Sequence, residues 1–191
     1  MSLRIAITGN IASGKSQVEL ILKEAGFKVF DADLIAHEVL DEINSFNGYD
    51  VFTDGKIDRK KLGDLVFSNK DIKSELEKIV HPIIKSRIID IFNSYSNEAF
   101  IFVSVPLLYE AGFEDIFDKV LLVTVPEQVQ LERLMQRNDL TKEKALLRIN
   151  SQLSQNLKLK KADYVISNDS SIEGLKSKVN DFIRKIIKIQ N

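Results

Sequence analysis

Eight residues near the start of the chain, Gly9-Asn10-Ile11-Ala12-Ser13-Gly14-Lys15-Ser16, have the types and spacing to cradle a phosphate. Each fixed position has a chemical reason. Gly9 lets the chain turn sharply, and Gly14 lets the backbone approach an anion without a Cβ in the way. The N–H groups of the loop converge on one point, to which the following helix also turns its positive end. Lys15 is placed to reach β- and γ-phosphates, and the Ser16 hydroxyl is a candidate ligand for Mg²⁺. Gly9–Ser16 is therefore expected to bind ATP with Mg²⁺.

A second group is Asp31-Ala32-Asp33, directly after an apolar run. In a parallel sheet the C-terminal strand ends line the binding crevice, which would set both acids beside the phosphate loop. A carboxylate there can accept a hydrogen bond from an attacking hydroxyl and orient it toward the γ-phosphorus. Asp33 suits that task. Asp31 suits a helix cap better, although it too is a candidate. A third group is Arg133-Leu134-Met135-Gln136-Arg137, followed by Arg148. Arginines on a segment over a nucleotide site can neutralise charge on a transferring phosphoryl group. Near a helix C-terminus they are also ordinary surface residues.

The elements that would position these groups alternate. Leu3–Thr8 is an apolar strand, Ser16–Ala25 a helix closed by Gly26, Phe27–Phe30 a strand and Asp31–Ile43 a helix. Residues 44–57 are polar and expected as loop. Asp58 caps a helix to Phe67, and Ser68-x-x-Asp71 resembles a capping box for the next. His81-Pro82 is expected to break that helix and restart it with Pro82 at its first position, continuing to about Tyr95. Phe100–Val105 and Val120–Val125 are buried strands. Pro126 starts a helix, Thr141 caps another, Tyr164–Ser167 is a short strand and Ile172–Ile189 a final amphipathic helix. This order is that of an α/β fold with a parallel sheet of about five strands, a helical insertion at about 44–96 and a lid at about 137–150, all in one domain of 1–191.

The 191 residues can bury a sizeable core. A net charge of −1 argues against a nucleic-acid surface. The absence of cysteine excludes disulfides, thiolate catalysis and Cys-ligated zinc. No apolar run approaches the ~20 residues of a membrane span, and the start of the chain lacks the pattern of a signal peptide, so a cytoplasmic location is expected. A guanine-reading N-K-x-D is missing. The strand ending Val103-Ser104-Val105 lacks the carboxylate of a Walker B strand. Both absences favour a small-molecule kinase over a GTPase switch or a motor.

Taken in order, ITGNIASGKS (7–16), FDADLIAHEV (30–39), VHPII (80–84), VPLLYE (105–110), LERLMQRNDLTKEKALLRINSQ (131–152) and KKADYVISN (160–168) resemble the dephospho-CoA kinase family. The resemblance implies a P-loop NTPase three-layer fold with an acceptor-side helical insertion and a lid. The reaction it implies is phosphorylation of the ribose 3′-hydroxyl of dephospho-CoA by ATP. By position, Asp33 matches the acid that engages the accepting hydroxyl, Lys15 the loop lysine and Arg137 a lid arginine. His81, Pro106, Leu107, Glu110, Arg148 and Gln152 match positions on the acceptor side and after the lid. Relatives often carry glycine at Asn10 and Ala12 and aspartate at Ser104. A methyl at Ala12 is expected to require a negative φ. Two alternatives stand beside this reading: a kinase of another nucleoside or small metabolite, and a non-catalytic ATP-binding regulator.

Overall fold

The computed structural model describes residues 2–190. Residues 2–30 and 95–190 form one compact unit, and Asp31–Ser94 form another.

The larger unit is built on alternating strands and helices. β1 (Leu3–Thr8) leads through the glycine loop into α1 (Lys15–Glu24), and β2 (Lys28–Asp31) follows. Gly26 lies just past α1 at φ +91°, the left-handed position that ends a helix without a Cβ penalty.

The chain then enters the smaller unit, with α2 (Ala32–Glu42), β3 (Phe52–Thr53), β4 (Lys56–Ile57), α3 (Arg59–Ser68) and α4 (Lys70–Ser94). The expected loop at 44–57 thus contains a hairpin. Asp54-Gly55 forms its two-residue turn, with φ of +51° and +74°, which suits the twist of antiparallel strands. Asp58 caps α3 as expected, accepting from the Lys60 and Lys61 N–H groups. The next cap is Asn69, not Ser68. Asn69 Oδ1 accepts from Asp71 and Ile72 N–H, while the Ser68 hydroxyl donates back to the Leu65 carbonyl. Nor does His81-Pro82 restart a helix, since α4 runs for 25 residues straight through Pro82. The missing N–H costs one helical bond. Burial of Ile72, Leu76, Val80, Ile84, Ile88 and Phe92, one at every fourth position, outweighs it. α4 packs on α2 and α3 within the unit.

Back in the larger unit come β5 (Phe100–Ser104), β6 (Lys119–Thr124), α5 (Glu127–Asn138), α6 (Lys142–Asn150), α7 (Gln155–Leu159), β7 (Tyr164–Ser167) and α8 (Ile172–Gln190). The short α7, capped by Ser154, was not anticipated from the sequence. The sheet has five strands in the order β2-β5-β1-β6-β7. β1 pairs in parallel with both β5 and β6, and β6 pairs in parallel with β7. Both sheet faces are apolar because parallel strands are covered twice. On one face Ile5, Ile7, Phe102, Leu121 and Val123 pack with Val18 and Leu22 of α1 and Val179 and Phe182 of α8. Ala6, Ile101, Val103 and Leu122, pointing the other way, are also fully buried. The register sets Ile7 opposite Ser104 and Thr8 opposite Leu122, so β5 ends where the glycine loop begins and β6 runs on past it to Thr124.

Candidate active site

The loop leaves β1 at Thr8, and its glycines are fixed by their neighbours. A Cβ on Gly9 would come within 2.6 Å of the Val123 carbonyl oxygen and of Ser13 Oγ. Gly14 has φ +87°, and a Cβ there would sit 1.9 Å from the amide nitrogen of Asn168. That amide donates to the Ser13 carbonyl at 2.9 Å, so Gly14 makes room for Asn168. Ala12 overturns one expectation: its φ is +61°. The left-handed turn is held in place because Ile11 and Ala12 pack against Leu131, Leu134 and Ala145 at the base of α5 and α6.

The return segment after α6 holds the loop from outside. The Ile11 N–H donates to Gln152 Oε1 at 2.7 Å, and Asn10 Nδ2 donates to the Leu153 carbonyl at 3.0 Å. Gln130 of α5 donates to the Ile11 carbonyl at 2.8 Å. The Leu153 N–H in turn donates to Glu110 Oε1 at 2.8 Å. The same carboxylate oxygen pairs with Lys158 Nζ at 2.8 Å, and Lys158 is wholly buried. Gln152 and Glu110 are thus brought to the loop and its support. Pro106 lies beside them, its carbonyl accepting from the Thr8 hydroxyl at 3.2 Å. Leu107 is exposed, whereas its neighbour Leu108 belongs to the core. Arg148 is exposed in the last turn of α6.

Lys15 Nζ lies 2.7 Å from Oε1 of Glu19, one turn further along α1. Ser104, the last residue of β5, donates its hydroxyl to the same oxygen at 2.6 Å and also bonds Lys15. Sequence reading passed over Glu19, because an acid four residues after a helix lysine is ordinarily a surface pair. Ser16 beside it is exposed. A groove of about 380 Å³ is bordered by Ala12, Gly14, Ser16, Arg133, Arg137 and Asn168. It brings both arginines of α5 to the phosphate loop. A larger cleft of about 820 Å³ is lined by Asn10, Gln130, Leu131, Leu146, Ile149 and Gln152.

Asp31, Asp33 and His81 belong to the smaller unit. Asp31 caps α2, accepting from the Asp33 N–H at 2.9 Å. Asp33 is exposed in the first turn of that helix. His81 is partly buried in α4. Burial pushes its pKa below the ordinary 6.5, helped by Lys85 and Lys73 and opposed by Glu77.

A family model described as dephospho-CoA kinase (CoaE) matches residues 3–174. The chain belongs to the dephospho-CoA kinase family. It is 36% identical to the dephospho-CoA kinase of Listeria monocytogenes, covering 98% of this chain and 99% of that one. It is 39% identical to that of Bacillus licheniformis over 96% of each. The solved dephospho-CoA kinase from Campylobacter jejuni superposes with a TM-score of 0.77 at 36% identity over the whole of both chains. A shikimate kinase from Bacteroides thetaiotaomicron, 14% identical with a TM-score of 0.62 over 96% of this chain and 98% of its own, shares the fold alone. Membership makes this chain a kinase of the last step of coenzyme A biosynthesis, with ATP as donor and dephospho-CoA as its small-molecule acceptor.

Proposed function

We propose that ATP lies with its phosphates on Gly9–Ser16, that Asp33 aligns the ribose 3′-hydroxyl of dephospho-CoA, and that Arg137 stabilises the transferring phosphoryl group. The observation that carries this reading is the groove in which Arg133 and Arg137 share walls with Gly14 and Ser16. Phosphoryl transfer has a loose transition state, so the chain's task is alignment and charge neutralisation. Lys15 turns from Glu19 to the β- and γ-phosphates. Arg137 neutralises charge on the equatorial oxygens. Asp33 accepts a hydrogen bond from the acceptor hydroxyl and holds it in line. Residues 137–150 close as a lid and exclude water, which suppresses hydrolysis. The insertion at 44–96, with His81, and the Pro106–Glu110 segment serve the acceptor. Arg148 borders it, and Gln152 and Glu110 also keep the loop in shape.

The residues present suit Mg²⁺. Ser16 offers an exposed hydroxyl oxygen at the start of α1, and Mg²⁺ accepts such hard donors while keeping several waters. Among the described residues no cluster of three or more His, Asp or Glu could cage an ion alone, so it would enter with the nucleotide. When bound it supplies neutralisation of the β- and γ-oxygens. No described helix is long and apolar enough to cross a membrane, and a cytoplasmic enzyme drawing on ATP is the reading we adopt.

The test is Asp33→Asn. It is expected to lower kcat by about 100-fold or more while ATP affinity stays within about threefold, as for a positioned proton acceptor. Turnover equal to the parent's would remove Asp33 from the mechanism. Fragmentation of the product by mass spectrometry locates the new phosphate, and a position other than the 3′-oxygen would reject the acceptor assignment.

A further inference from the structure

We infer that Glu19 is a positioning residue that supplies, from α1, the negative charge other P-loop enzymes place at the end of a neighbouring strand. The inference rests on the reading that Gly9–Ser16 holds Mg-ATP. P-loop enzymes use a strand-end carboxylate to help hold Mg²⁺. Here β5 ends in Phe102-Val103-Ser104, without one. Ser104 instead donates its hydroxyl to Glu19 Oε1 at 2.6 Å, so the carboxylate is fixed where the strand ends.

Three observations separate this from an ordinary helix-surface ion pair. Glu19 is only 8% exposed, and the side chains of Lys15 and Glu19 are 14% and 10% exposed. Carboxylates are rarely this buried unless paired. Both donors, Lys15 Nζ and Ser104 Oγ, meet on Oε1, and Oε2 makes no hydrogen bond to a described residue. The partner is the lysine of the phosphate loop itself.

The pair has a consequence for binding. When Lys15 turns to the phosphates, Glu19 keeps a charge in a nearly closed site without its cation. Nucleotide without metal therefore binds against this carboxylate, and nucleotide with a divalent ion binds with its help. The two effects are one coupling, seen from each ligand.

The test measures ATP affinity by calorimetry, with Mg²⁺ and with chelator, in the full chain. In Glu19→Gln the gain in affinity on adding Mg²⁺ is expected to shrink at least tenfold, and metal-free ATP to bind more tightly than to the parent. The exchange variant Glu19→Ala/Ser104→Asp returns the carboxylate to the strand end, and is expected to restore both the Mg²⁺ gain and kcat. An unchanged Mg²⁺ gain in Glu19→Gln overturns the inference. So does an exchange variant no better than Glu19→Ala alone. Should Glu19→Gln fail to fold, the exchange variant decides the matter by itself. Parent protein that binds no ATP at all would defeat the reading of the loop, not this inference.

Discussion

At the scale of single residues, the glycine loop is specified by contacts that have nothing to do with the ligand. Gly14→Ala meets both a left-handed φ and the amide of Asn168. Strain of about 1–2 kcal/mol and a lost hydrogen bond of about 1 kcal/mol are expected together. Urea unfolding would show the loss. Adding Asn168→Ala should not cure it, because the φ remains. Lys158→Met removes a buried cation from Glu110 and is expected to cost about 2 kcal/mol, less than a fully buried pair because the Glu110 side chain is 21% exposed. The same denaturation experiment checks it, and a double-mutant cycle with Glu110→Gln isolates the pair. His81 gives a pH signature. Its folded pKa is depressed, so the unfolded chain binds its proton first as pH falls. The stability this contributes is present above pH 6.5 and is lost as pH drops through the folded value. His81→Gln should flatten the fall in melting temperature between pH 7 and 5, and a slope identical to the parent's would contradict this.

Among the elements, what could be read from sequence was what local chemistry determines. β1, β7 and the caps at Asp58 and Thr141 follow from apolar runs and side-chain oxygens next to free N–H groups. The loop between β1 and α1 was legible from the spacing of Gly9, Gly14 and Lys15. Tertiary packing decided the rest. Pro82 reads as a helix start, but six apolar residues on one stripe hold α4 together across it. Ala12 reads as needing a negative φ, yet its seat against Leu131 and Leu134 keeps it left-handed. The Asp54-Gly55 turn was legible in principle, and its strands were missed because each has two residues. Glu19 was invisible in a different way, since its meaning comes from Ser104, 85 residues away. Pro82→Ala restores an N–H to the middle of α4 and is expected to stabilise the protein by about 1–2 kcal/mol. A lower melting temperature would mean that the packing of α4 uses the local geometry proline imposes.

Over the whole molecule, charge is nearly balanced at −1, so attraction for ATP has to be local. Binding then shows as stabilisation. At 100 times its Kd, ATP is expected to add about 2.7 kcal/mol to unfolding, read as a rise in melting temperature that Lys15→Ala abolishes. The glycine loop, α5 and the return segment are joined by hydrogen bonds as well as by apolar contact, which links the proposed lid to the proposed nucleotide site. The Ile11 N–H, held by Gln152, sits inside that linkage. Its exchange with deuterium times the release of the loop by the return segment. Followed during turnover, that one amide would separate the opening of the proposed lid from the transfer of phosphate, with no dye attached to the protein.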